Sequence, residues 1–147
     1  MVIEVDTGRE GGLKDPRTLA SIARLTDFLR ERHGDVIGFD LFMRKTHQEM
    51  NGGDPAFFVT PDSPELIAQY TLLMAPRTLE RFADFDMSRT AILVRSHLKG
   101  SAAMTREGPA ILDFVQREMS KDLTVTVSGE AVLIAASSDR MSREIVT

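Results

Sequence analysis

The residues that could do chemistry are few and far apart. Histidines stand at His33, His47 and His97, and no two share the spacing that would set a pair of metal ligands on one helical face. His33 falls at the end of an expected helix, where a cationic side chain meets the negative end of the dipole, and all three read as surface or capping residues. Asp84 and Asp86 flank Phe85, and paired carboxylates could hold a cation or act as acid and base. The further oxygens that a calcium loop needs at set spacing do not follow them. Gly8-Arg9-Glu10-Gly11-Gly12 precedes a helix, but its glycines match neither the dinucleotide nor the P-loop spacing and no Lys-Ser/Thr pair follows. It reads as a plain flexible turn. The chain has no cysteine, which removes thiolate catalysis, disulfides and cysteine zinc sites together. No G-x-S-x-G elbow is present and no S-x-x-K triplet stands in a setting that supports it. The expectation is therefore a protein that is not an enzyme, with no catalytic, cofactor-binding or metal-ligating residue. A small metal-dependent hydrolase using Asp84 or Asp86 is the rival.

Apolar bulk is the more informative signal. Phe57, Phe58, Tyr70, Met74 and Phe85 gather in one stretch, and flexible methionine beside rigid aromatics suits a surface that accepts varied apolar cargo or contacts another domain. Ordinary core packing is the other account of the same five residues.

The elements that must position these groups alternate between strand and helix. Met1 to Asp6 has the period of a half-buried strand. Asp15-Pro16 opens a helix of about 17 residues, in which Leu19, Ile22, Leu25 and Leu29 keep a helical spacing until Gly34. Val36 to Phe39 is a short strand, and Asp40 is placed to cap a helix bearing Phe42, Met43 and Met50. An extended connector over Asp54–Pro61 leads to a helix opened by Ser63-Pro64, with Leu66, Ile67, Tyr70, Leu73 and Met74 on its stripe and Pro76 at its close. Leu79–Phe82 is a further helical turn. Thr90–Leu98 is apolar on both faces, as a central strand covered on two sides would be. Ser101–Met119 reads as a helix kinked at Gly108-Pro109, and Leu123–Ser128 as a strictly alternating strand. After Glu130 an apolar run and Ser137–Arg143 suggest a helix leading away. This order predicts an α+β domain over 1–129 of ferredoxin-like, split β-α-β character. Its four-stranded antiparallel sheet would carry helices on one face and a helical insertion at about 40–83, followed by a connector over 130–147.

Composition sets outer limits. A chain of 147 residues, 42% hydrophobic and 27% charged, is long enough for one domain with a real core. Its 18 basic and 22 acidic residues give a net charge of −4 without a Lys/Arg block, which argues against a nucleic-acid partner. The longest apolar run, Ala131–Ala136, is far short of the roughly 20 residues of a membrane span, so the piece is expected to be soluble as it stands.

Several stretches, in their order and spacing, resemble the periplasmic loop of the hydrophobe/amphiphile exporters of the RND superfamily, the group that includes the mycobacterial-membrane-protein-large-type lipid transporters. They are Glu4-Val5-Asp6-Thr7-Gly8, Leu13-Lys14-Asp15-Pro16, Gly53-Asp54-Pro55-Ala56-Phe57-Phe58, Pro61 to Tyr70, Leu79-Glu80-Arg81-Phe82, Ala91 to Arg95 and Val125 to Leu133. The resemblance runs nearly end to end and implies a porter domain at the extracytoplasmic side of a bacterial inner-membrane protein. Its partners would be the transmembrane helices and sister porter domain of a proton-driven exporter, and a hydrophobic or lipid-like cargo, with a homo-oligomer left open. The relay carboxylates of such exporters lie in membrane helices outside this chain. A stand-alone ferredoxin-like ligand-binding or regulatory module is the first alternative.

Overall fold

The computed structural model describes residues 2–95, 101–119, 122–127 and 132–135. It is an α+β structure in the order β1 (Val2–Asp6), α1 (Pro16–His33), β2 (Asp35–Ile37), α2 (Phe39–Met50), α3 (Pro64–Thr71), α4 (Pro76–Phe82), β3 (Arg89–Arg95), α5 (Ser101–Glu118), β4 (Thr124–Val127) and β5 (Val132–Ala135). The strands form one sheet in the order β2-β3-β1-β4-β5, every pair antiparallel. Helix α1 therefore links two strands with β3 between them, and α5 links two strands with β1 between them.

Strand alternation sends Ile3 and Val5, Thr90, Ile92 and Val94, and Val125 and Val127 to one buried face. They share a core with Leu19, Ile22, Leu25 and Leu29 of α1 and with Ile111 and Val115 of α5. Each fully buried aliphatic side chain of this kind contributes about 1.5–3 kcal/mol of transfer free energy. The ends of α1 follow from local chemistry. Pro16 occupies the first turn, the Asp15 carboxylate accepts from Arg17 N–H at 2.9 Å, and Gly34 closes the helix at φ 87° with its N–H on Arg30 O.

The structure corrects the sequence expectations at several points. The sheet has five strands, because Val132–Ala135 pairs with β4 where a connector leading away was expected. The helix expected over Ser137–Arg143 lies outside the described residues, as does His97. Strand β3 is central in its pairing, with Thr90, Ile92 and Val94 buried on one face and Ala91 and Leu93 half-buried on the other. On that second face Leu93 sits between Ile37 and Val2 in a cross-strand row, and these apolar neighbours shield one another. Gly38, not Asp40, is the N-cap of α2, and Asp40 is buried in the first turn. Pro76 opens α4 rather than closing α3, since a first-turn proline lacks only an N–H that would have had no intrahelical partner. Helix α5 is not one of these corrections, since it runs over Ser101–Glu118 with Pro109 inside it, as expected. The preceding Gly108 has no Cβ to clash with the proline ring, which eases the helical conformation there.

The glycine-rich loop is clamped rather than free. Thr7 Oγ1 donates to Ser88 O at 2.8 Å, Gly11 N–H to Asp86 O at 2.7 Å and Leu13 N–H to Met87 O at 2.9 Å, tying the loop to the turn before β3. Gly11 takes φ 72°, and a Cβ on Gly12 would collide with the Thr7 side chain, so both positions favour glycine for stated reasons.

Candidate functional site: an apolar groove beside α3 and α4

The turn between α3 and α4 and the turn before β3 face a common groove of about 520 Å³. Its wall is apolar, built from Ala68, Leu72, Pro76, Leu79, Phe85 and Met87, while Lys14, Glu80 and Asp84 stand among the lining residues. The volume falls in the range of small-molecule sites, roughly 300–1,000 Å³. Phe85 is fully exposed, and Leu72 and the adjacent Leu73 are 85% and 63% exposed. Three large apolar side chains in water so close together mark a contact surface rather than isolated surface residues.

Local chemistry explains why these side chains are presented. Helix α3 stops at Thr71, and Leu72 N–H still bonds back to Ala68 O and Gln69 O, so the last turn tightens and Leu72 and Leu73 leave the helix on its outer side. Phe85 is held out by its neighbours. Asp84 accepts from Ser88 N–H at 2.8 Å, Arg89 N–H at 3.0 Å and Ser88 Oγ at 2.8 Å, while Asp86 accepts from the same hydroxyl at 3.0 Å. Burial alone would raise the Asp84 pKa, but the Arg89 and Ser88 donors outweigh it and hold the carboxyl below the usual aspartate range. The two aspartates thus build a turn that carries Phe85 at its tip.

The five apolar residues singled out in the sequence do not form one site. Phe57 meets the His47 ring edge-on at 5.7 Å, and Tyr70, buried, bonds His47 Nδ1 through its hydroxyl at 2.8 Å. Burial raises the Tyr70 pKa. Phe58 lies under two guanidinium groups, at 4.9 Å from Arg44 and 5.9 Å from Arg30. Met74 is partly buried against the core. Only Phe85 reaches the groove. Leu72 and Leu79 were not among the five, although the four-residue break between Thr71 and the Pro76 helix start was the available signal for an exposed Leu72 at that corner.

Two buried ionic clusters were also missed, and both tie helices together. Asp40 accepts from Thr26 Oγ1 at 2.7 Å and from Arg44 Nη2 at 2.8 Å, and Arg44 Nη1 reaches Asp27 at 3.0 Å. Burial lifts the Asp40 carboxyl above its usual range, against the pull of the Arg44 charge and the two donors. In the second cluster Glu107 of α5 takes a bidentate pair from Arg32 at 3.0 and 2.7 Å and faces His33 Nε2 at 3.0 Å. His33 is therefore a buried bridge between α1 and α5, not the surface residue that its place at the helix end suggested.

Among the described residues no group of three His, Cys, Asp or Glu side chains is placed to hold a metal ion, and no helix is long and apolar enough to cross a membrane. No family model, curated protein or solved structure matches this chain.

Proposed function

We propose that this chain is the non-catalytic extracytoplasmic domain of a proton-driven RND-type exporter of lipids or other amphiphiles, and that the α3–α4 groove is a surface along which apolar cargo passes. The observation that carries this reading is the exposure of Leu72, Leu73 and Phe85 at an apolar groove of about 520 Å³. The end-to-end sequence resemblance supplies the exporter context. The strand order β2-β3-β1-β4, with α1 and α5 as the two crossing helices, supports a ferredoxin-like split β-α-β core, extended here by β5. The same groove would serve a stand-alone ligand-binding module, which is the second reading.

The groove is tested by titrating the isotope-labelled protein with dodecyl maltoside below its micelle concentration. Amide shifts are expected at Leu72, Leu79, Phe85 and their neighbours, and the Leu72→Ser, Phe85→Ser double variant is expected to bind at least tenfold more weakly, a loss of about 1.4 kcal/mol or more. Shifts centred on the half-buried sheet face, or binding unchanged in the double variant, would remove the groove from the account.

A further inference from the structure

We infer that the groove selects amphiphiles with a zwitterionic, phosphocholine-type head group and a single apolar chain. The inference rests on the reading of the groove as an apolar contact surface and adds the chemistry of the head. Lys14 and Glu80 both line the groove, carry opposite charges, and make no ion pair with each other or with any other described residue. Two opposite charges left unspent at the edge of one apolar site are complementary to a ligand that brings both signs.

The residue types suit the two halves of such a head. Lys14 belongs to the turn that precedes α1, and its compact ammonium is a point charge able to meet phosphate oxygens. The Glu80 carboxylate, the Asp84 carboxylate and the uncovered ring of Phe85 line the same groove. A ring face beside carboxylates attracts a quaternary ammonium through both the quadrupole and the charge. Hydrogen bonds from Ser88 and Arg89 hold Asp84 as the carboxylate, and Arg89 Nε lies 4.0 Å from it, so Glu80 is the groove carboxylate without an ion-pair partner among the described residues. An anionic head would gain Lys14 but face two carboxylates. A cationic head would gain the carboxylates and the ring but face Lys14. A neutral sugar head would leave both sets of charges in water and gain from neither.

The test compares four amphiphiles of equal chain length by isothermal titration below their micelle concentrations: dodecylphosphocholine, dodecyl maltoside, dodecyl sulfate and dodecyltrimethylammonium. Free phosphocholine is the control for the head alone. Dodecylphosphocholine is expected to bind about tenfold tighter than the other three, equivalent to about 1.4 kcal/mol. Free phosphocholine is expected to show no saturable binding. Lys14→Gln and Glu80→Gln are each expected to remove most of that preference, bringing the dodecylphosphocholine and dodecyl maltoside affinities of each variant close together. Equal binding of dodecyl maltoside and dodecylphosphocholine would overturn the head-group inference and leave the apolar groove standing. Tightest binding of the sulfate or the trimethylammonium compound would also overturn it. Failure of all four to bind would overturn both readings together.

Discussion

Asp40→Ala is expected to lower stability by about 3 kcal/mol, the lower end of what removing one partner of a buried ion pair costs. In a domain of this size that is a fall in Tm of roughly 10 °C. The substitution leaves the Thr26 hydroxyl without its acceptor and the Arg44 guanidinium, 6% exposed, with Asp27 as its remaining charge partner. The cost stays near the lower end because Asp27 is half in water and still compensates part of the charge. Arg44 Nε already has no hydrogen-bond partner among the described residues, so the cluster has no spare acceptor. Replacing both members, Asp40→Leu with Arg44→Met, is expected to recover much of the loss, because an apolar pair of similar volume removes the desolvation cost on both sides. Thermal or urea unfolding of the single and double variants reads this directly. A single variant as stable as the parent would show that the buried pair does not hold α1 to α2.

Glu107→Ala is expected to cost about 2–3 kcal/mol, and here the loss depends on pH. The Arg32 hydrogen bonds hold the Glu107 pKa below the usual glutamate range, against the opposing effect of burial, with the Arg32 and His33 charges helping. A depressed carboxylate pKa stabilises the fold above the unfolded-state pKa and loses that contribution as pH falls through the folded value. The parent and the variant should therefore differ at neutral pH and converge in acid. Arg32 remains partly in water and stacks over Phe28, so its loss of partner is a mild part of the effect. Loss of the Glu107 oxygen at 3.0 Å from the buried His33 Nε2 adds to it. Urea unfolding at neutral pH and near pH 3 separates the two. A difference that grows toward acid would contradict the assignment of Glu107 as the ionised centre of the cluster.

Much of the architecture was legible because local signals agreed with tertiary ones. Helix α1 carries its cap, its first-turn proline, a stripe at helical spacing and a terminal glycine, and β4 alternates cleanly. What failed did so where one signal has two meanings. A proline ends one helix and begins another with equal ease, so Pro76 was read from the wrong side. A short apolar run cannot be told as strand or helix by periodicity, which is how β5 was read as a connector. The ionic clusters were readable in part. His33 lies four residues beyond Leu29 on the buried stripe of α1, and Glu107 stands four before Ile111 on the buried stripe of α5, so both were polar groups on apolar faces in need of partners. That they partner each other is a long-range fact no local pattern carries. The exposed groove was hidden for a related reason: Leu72 and Phe85 look like core in sequence, and only the tertiary packing leaves them in water.

The most direct test of the exporter assignment is the hydropathy of the native gene on both sides of this segment, taken over a window of about 19 residues. The account predicts apolar spans of about 20 residues soon before Val2 and soon after Thr147. Stop codons at both ends, or long polar flanks, would contradict it and leave the ligand-binding module as the reading that fits the groove.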